Sequence, residues 1–317
     1  MSYVELDLSI PFSRKLWDAK TAAQWKAIYL QEVPKTMPAI PSLATTLEDI
    51  SDLSRFPRHG DLRLAALANM HGILAMVVDC NKPRRSSSGQ WSTLVMKLWQ
   101  QELQQVLEKF EIVAVKPLQQ SVPAIPLIYH TASLSLYLPL SILETFTGKD
   151  GEARSVDTYQ SYIQQISLEN LRNASWHAGQ VLRIARCMPS GSLTAFCATC
   201  LYFAALALWS LSTVFSLNPS ISDTRIGNEE PVFLLDGDAD NATLRRFFLS
   251  GQGNPALSSS GKHVPLGDRA AVMGLFQQLL RSKRRGGTSD QQTKALDHAF
   301  CVLGNDTVTP TQNHRNT

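Results

Sequence analysis

Apolar positions along this chain recur at helical rather than strand spacing. From Asp61 onward Leu62, Ala65, Ala66, Asn69, Ile73, Val77 and Val78 follow steps of three and four, which places them on one helical face. Upstream, a helical patch runs from Pro11 to Tyr29 with Leu16, Trp17, Trp25 and Ile28 as anchors, and prolines 34, 38 and 41 then break the chain. Thr45 or Thr46 is expected to cap a helix that resumes near Leu47 and stops near Pro57. Further helices are predicted over 91–110, 127–146, 158–188, 242–249, 268–282 and 291–303. In the 158–188 segment Leu168, Leu171, Ser175, Ala178, Leu182 and Ala185 share one face. With no long alternating stretch and no internal repeat, the expected fold is all-α. It is a single multi-helix domain with irregular connecting loops over 1–303, followed by a polar tail over 304–317 that is expected to be disordered.

One stretch departs from the amphipathic pattern. After Arg186 no charged side chain occurs until Asp223, and the polar residues within 193–217 are only Ser, Thr and Tyr. Such a run is either a membrane span or the innermost helix of a sizeable core. Seven hydroxyl-bearing residues, among them Thr194, Tyr202, Ser210 and Ser212, dilute its hydrophobicity, and no basic residue anchors its downstream flank before Arg225. The core reading is preferred, and a single-pass span over 193–217 is its rival. Ser192, in the Pro189-Ser190-Gly191-Ser192 turn, is expected to cap this helix.

Composition narrows the function classes. The 317 residues carry 30 basic and 27 acidic side chains, a net charge of +3. That balance argues against broad, backbone-driven nucleic-acid binding, which needs a concentrated basic face. Five cysteines, odd in number and mostly in apolar surroundings, fit free thiols in a reducing compartment. Glu5 and Asp7 with no apolar segment exclude a signal peptide at the N-terminus.

Candidate chemistry is sparse. Cys197 and Cys200 have redox-pair spacing but lie inside an apolar helix, so buried thiols are the better reading. Asp236, Asp238 and Asp240 resemble the start of a calcium loop, yet Asn241 and Phe247 stand where Gly and a bidentate Glu are needed. The segment reads instead as a turn whose Asp240 or Asn241 caps the next helix. No nucleophile elbow, phosphate-binding loop, paired-His motif or dinucleotide fingerprint is present. An enzyme with scattered residues, using His130 or His177, is a rival that nothing local supports. Trp176, Gln180 and Arg183 fall on one helical stripe and, with His177, form the candidate effector or partner surface, although packing is the default for such a stripe. Arg281, Lys283, Arg284 and Arg285, like Lys82-Pro83-Arg84-Arg85, have the composition of nuclear-import signals.

Four blocks, in order, carry a resemblance. They are Pro11-Phe12-Ser13 through Leu16-Trp17 to Trp25; Ile128-Tyr129-His130 through Leu136-Tyr137-Leu138 to Gly148-Lys149; Trp176-His177-Ala178-Gly179-Gln180 with Pro189-Ser190-Gly191 and Trp209; and Leu234-Leu235-Asp236-Gly237 with Phe247 and the 251–255 segment. On these the chain resembles the regulatory (middle-homology) domain of fungal transcription factors, in the branch where paired Cys2His2 zinc fingers bind DNA. The resemblance implies an all-α, non-enzymatic regulator in the nucleus, controlling a metabolic pathway through other transcription factors or co-regulators and a small-molecule effector, with no membrane. No finger pattern occurs in the sequence, so it implies no cofactor here, zinc belonging to an upstream module, and DNA contact only through a missing or partner module.

Overall fold

The computed structural model describes residues 9–33, 40–57, 59–81, 90–146, 161, 166–217, 232–238, 241–251 and 253–283. The predicted 291–303 helix, the polar tail, Arg284, Arg285, Lys82, Arg84, Arg85 and the cap residue Asp240 lie outside them. The chain divides into two compact units, Met1–Pro139 and Leu140–Thr317, so a boundary falls within the stretch read above as one domain. The fold is predominantly α.

In the first unit the N-terminal patch is two helices, α1 (Arg14–Trp17) and α2 (Ala22–Glu32), the second capped by Thr21, whose hydroxyl accepts from the Gln24 amide. Of the expected anchors Leu16 is buried, whereas Trp17 is 74% exposed. Ser42, rather than Thr45 or Thr46, caps α3 (Leu43–Glu48), and a 3-10 turn over Ile50–Arg55 follows. A threonine at either expected position would have had to leave the helix that Ser42 already nucleates. Asp61 caps α4 (Leu62–Cys80) by accepting from the Arg63 and Leu64 amides, both at 3.0 Å. Next come α5 (Gln90–Phe110), a π-helical turn over Glu111–Val115, α6 (Lys116–Leu118) and α7 (Ala124–Tyr137).

The core joins Ala65, Ala66, Met70, Ile73 and Val77 of α4 to Leu103, Leu107 and Phe110 of α5 and to Ile125, Ile128 and Ala132 of α7. Among the described residues α4 is long and apolar enough to cross a membrane. Its buried Asn69, however, donates to the Thr46 hydroxyl and the Ala65 carbonyl, both at 2.9 Å, and its apolar face lines this core.

The helix predicted over 127–146 is instead two. Pro139 cannot donate to a continuing helix and forces Leu138 into extended backbone (φ −138°, ψ 99°), so α7 stops at Tyr137 and α8 (Leu140–Phe146) starts anew.

In the second unit α9 (Leu168–Cys187) starts where Ser167 lies in extended backbone and caps it by accepting from the Asn170 amide; of 158–165 in the predicted 158–188 helix only Ser161, which is helical, is among the described residues. The charge-free run is α10 (Ala195–Leu217), whose cap is Thr194 rather than Ser192; the Ser192 hydroxyl turns back to the Pro189 carbonyl. Residues 204–212 of α10 are all buried, and the helix packs against α8, α9 and α12 (Arg269–Lys283). The apolar run is thus accounted for by packing inside this unit.

A small sheet joins the helices, and the sequence reading missed it. Strands β1 (Val232–Leu234) and β2 (Asn254–Ser259) pair in parallel across α11 (Asn241–Ser250), and β3 (Lys262–Pro265) returns antiparallel to β2. β1 and β3 are too short for alternation to betray them, and the six residues of β2 do not alternate in burial. The hairpin does carry its turn signal, Ser260 and Gly261 both at positive φ (42° and 82°), which suits the right-handed twist of a two-residue turn.

Candidate functional site

The stripe on α9 packs against other elements of the second unit. It runs along β1 and the turn after it. Trp176 meets Phe233 with ring centroids 5.8 Å apart, and Phe233 stacks on Phe247 of α11 at 4.2 Å. One turn later the buried Gln180 amide donates to the carbonyls of Leu235 and Gly237, each at 2.9 Å. Between these positions Gly179 brings the helix backbone against the strand end: a Cβ there would lie 2.3 Å from the Leu235 carbonyl oxygen. Blocks 176–180 and 234–237, singled out separately in the sequence, are therefore the two halves of one junction.

Two ion pairs extend it. Arg183 pairs with Asp238, and Arg186 with Asp236. They differ in surroundings, since the Asp238 side chain is 92% exposed and that of Asp236 is fully buried. Asp236 also accepts from the Ser258 amide (2.9 and 3.0 Å) and hydroxyl (2.7 Å), and Arg186 donates to the Ser258 hydroxyl (2.9 Å) and carbonyl (2.8 Å). The three residues thus tie α9, the β1 turn and β2 together. This engagement removes Asp236 from any calcium-binding role, and the segment is the turn the sequence suggested. Arg172 makes a similar reach, donating to the Phe248 and Leu249 carbonyls at the end of α11, where helix carbonyls lack intrahelical partners. The sequence pattern placed Arg183 and Arg186 near the negative end of the α9 dipole, but their partners on the β1 turn were not legible from it.

Beside Arg186 a cleft of about 370 Å³ is lined by Ser258, Ser259, Ser260, Gln278, Ser282 and two leucines of α12. Lys283, one of the import-signal candidates, donates its ammonium group to the Arg186 and Met188 carbonyls at the end of α9. Arg281 shares the last turn of α12. Cys197 and Cys200 are buried and Cys187 is exposed, and none of the three is in a disulfide. Among the described residues no group of three His, Cys, Asp or Glu side chains is placed to hold a metal ion. His130 sits on α7 of the first unit, edge-on to Tyr129 at 5.0 Å.

His177 is half-buried on α9, and burial pushes its imidazole pKa down to about 3. The folded pKa lies below the free value of about 6.5, so the unfolded chain takes up the proton first as pH falls. Stability from this position is fully present above about pH 6.5 and drains as pH falls towards 3, at up to about 1.4 kcal/mol per pH unit if no water screens the ring. His177→Gln is expected to flatten that acid dependence. Urea unfolding of both proteins between pH 7 and 4 checks it; parallel losses would show that His177 does not set the slope.

No family model matches the sequence, and no solved structure matches it. Over 287 residues the chain is 25% identical to Transcription factor 1 of Elsinoe fawcettii, an alignment that covers 81% of this chain. It spans 28% of that protein's length, so the chain is similar to a part of a longer fungal transcription factor.

Proposed function

We propose that this chain is a transcriptional regulator: the regulatory module of a fungal transcription factor, acting in the nucleus without catalysis and without contacting DNA itself. The observation that carries the reading is the similarity to Transcription factor 1 along 81% of the chain. The four ordered sequence blocks agree with it, and two of them form the α9–β1 junction. DNA contact then belongs to another module or a partner protein, and any zinc belongs there too. Co-regulators are the expected partners, and the serine-lined cleft beside Arg186 is the expected place for a small-molecule effector of a metabolic pathway. Arg281, Lys283, Arg284 and Arg285 are the proposed import signal, which requires Lys283 to exchange its contacts with the end of α9 for the receptor.

The test fuses the chain to an unrelated DNA-binding module and reads a reporter of intermediate basal output, so that activation and repression both register. A change in output supports the reading; an unchanged output from a nuclear, folded fusion rejects it. Arg183→Ala is informative in the same assay, because its exposed pair with Asp238 contributes at most about 1 kcal/mol. Altered output from this folded variant assigns a surface role to Arg183, whereas unchanged output leaves it a packing residue.

A further inference from the structure

Arg186 borders the cleft of about 370 Å³ without making it an anion site. Its guanidinium donates to Asp236, to the Ser258 hydroxyl at 2.9 Å and to the Ser258 carbonyl at 2.8 Å. The buried Asp236 carboxylate cancels its charge. Lys283, next in sequence to the lining residue Ser282, is held by the Arg186 and Met188 carbonyls. Every other residue of the lining is uncharged. What the cleft offers a ligand is therefore neutral.

Three of its polar side chains are unused. Among the described residues Ser259, Ser260 and Gln278 have no side-chain hydrogen-bond partner. The two serines come from the β2–β3 hairpin and Gln278 from α12, so two elements bring donors and acceptors to one place. Leu275, half-buried and three residues before Gln278, gives the α12 side an apolar patch that Leu279 continues. Backbone conformation singles out Ser260. It holds φ at 42°, in the left-handed region, at the first position of the two-residue turn. Glycine, asparagine or aspartate adopts that conformation at lower cost. A serine placed where it is strained, with its hydroxyl lining a cleft and unpaired within the described fold, points to a bond made outside the chain. The volume lies near the lower end of the roughly 300–1,000 Å³ usual for small-molecule sites, which suits one molecule of monosaccharide size.

Resting on the reading of this cleft as the effector site, we propose that its ligand is a neutral, multiply hydroxylated small molecule, a monosaccharide or cyclic polyol. Hydroxyls of the ligand bond to Ser259, Ser260 and Gln278, and its C–H face lies on Leu275. A phosphorylated or carboxylated ligand fits less well, because a second anion beside Asp236 would have to share the one guanidinium. A purely apolar ligand would cover the three polar side chains and leave them unpaired.

The full chain is titrated with a panel of methyl β-D-glucopyranoside, methyl β-D-galactopyranoside, D-xylose and myo-inositol, followed by saturation-transfer NMR. Parallel titrations use D-glucose 6-phosphate and cyclohexanol. Saturable binding of at least one neutral polyol is expected, with a dissociation constant on the order of 1 mM and no dependence on salt. The phosphorylated sugar and cyclohexanol should bind more weakly. Ser260→Gly and Gln278→Ala should each weaken the polyol about fivefold, as loss of one neutral hydrogen bond does. Glycine suits the turn better than serine, so the Ser260→Gly protein should melt no lower than the parent. Leu249→Ala, at a 72% exposed leucine outside the cleft, should change nothing. Absence of saturable binding across the panel, tighter and salt-sensitive binding of glucose 6-phosphate, or full affinity in both cleft variants would each overturn the proposal. The reporter fusion separates this from the regulatory reading. A failed titration beside an active fusion removes the ligand class alone, and polyol binding beside an inert fusion removes the regulatory role alone.

Discussion

Gly179→Ala should destabilise the second unit by about 3 kcal/mol, the upper end of what overpacking by one methyl group costs. The reason is what the methyl would meet. The Leu235 carbonyl oxygen and carbon stand 2.3 and 2.5 Å from the Cβ position, and the Leu235 Cβ stands at 2.7 Å. These atoms belong to the start of the turn after β1, at or next to the backbone, not to the tip of a side chain that can rotate away. Relief requires α9 and the strand to separate, and that pulls the Gln180 amide from its two carbonyl partners. Each of those bonds contributes about 1 kcal/mol, and the freed carbonyls would be left without a buried donor. Gly274→Ala is the matched control. It sits within α12 with nothing inside 4 Å of its Cβ position, so there alanine should stabilise by about 0.5–1 kcal/mol through helix propensity. Urea unfolding of the three proteins gives both numbers. A loss below about 1 kcal/mol at Gly179 would mean that the junction yields and is not a fixed contact.

This junction also shows what was legible in the chain. Helix α4 could be read almost to its ends, because Asp61 and the apolar steps after it leave one face for the core. The central place of α10 followed from the absence of charge across its length. The errors have local causes. Pro139 splits a continuous apolar run that hydrophobicity alone would join, and Ser167 starts α9 where the apolar period gives no boundary. The sheet escaped because β1 and β3 have three and four residues, too few for alternation to show. The α9 stripe was visible as a stripe, but its partner lies some 55 residues away, as the bond from Gln180 to Leu235 records. Spacing along a helix identifies which residues share a face; it carries no information about which distant segment covers that face. Hence Trp176, Gln180 and Arg183 were found as a set, and their occupation by β1 and its turn was not.

Arg186→Ala should cost about 3–5 kcal/mol, and Arg183→Ala less than about 1 kcal/mol, although both arginines lie on the same helix and each pairs with an aspartate of the same turn. The difference is solvent. Asp238 is almost wholly exposed, so water solvates its carboxylate whether or not Arg183 is present. Asp236 is fully buried, and removing Arg186 leaves its charge, among the described residues, with the Ser258 amide and hydroxyl as donors. The penalty belongs to the stranded carboxylate more than to the lost attraction. Removing both charges while keeping polar groups in place should therefore undo much of the loss. Arg186→Gln combined with Asp236→Asn is expected to recover at least half of what Arg186→Ala costs, since an asparagine oxygen can still accept from Ser258. Salt provides a second reading: the Arg183 contribution should fade as ionic strength rises, and the Arg186 contribution should persist because its partner lies out of reach of counter-ions. Equal costs for the two alanine variants would place Asp236 in contact with water and open the α9–β1 junction. A large Arg186 effect that the neutral double variant reverses would instead identify burial of Asp236 as the constraint that holds strand and helix in register.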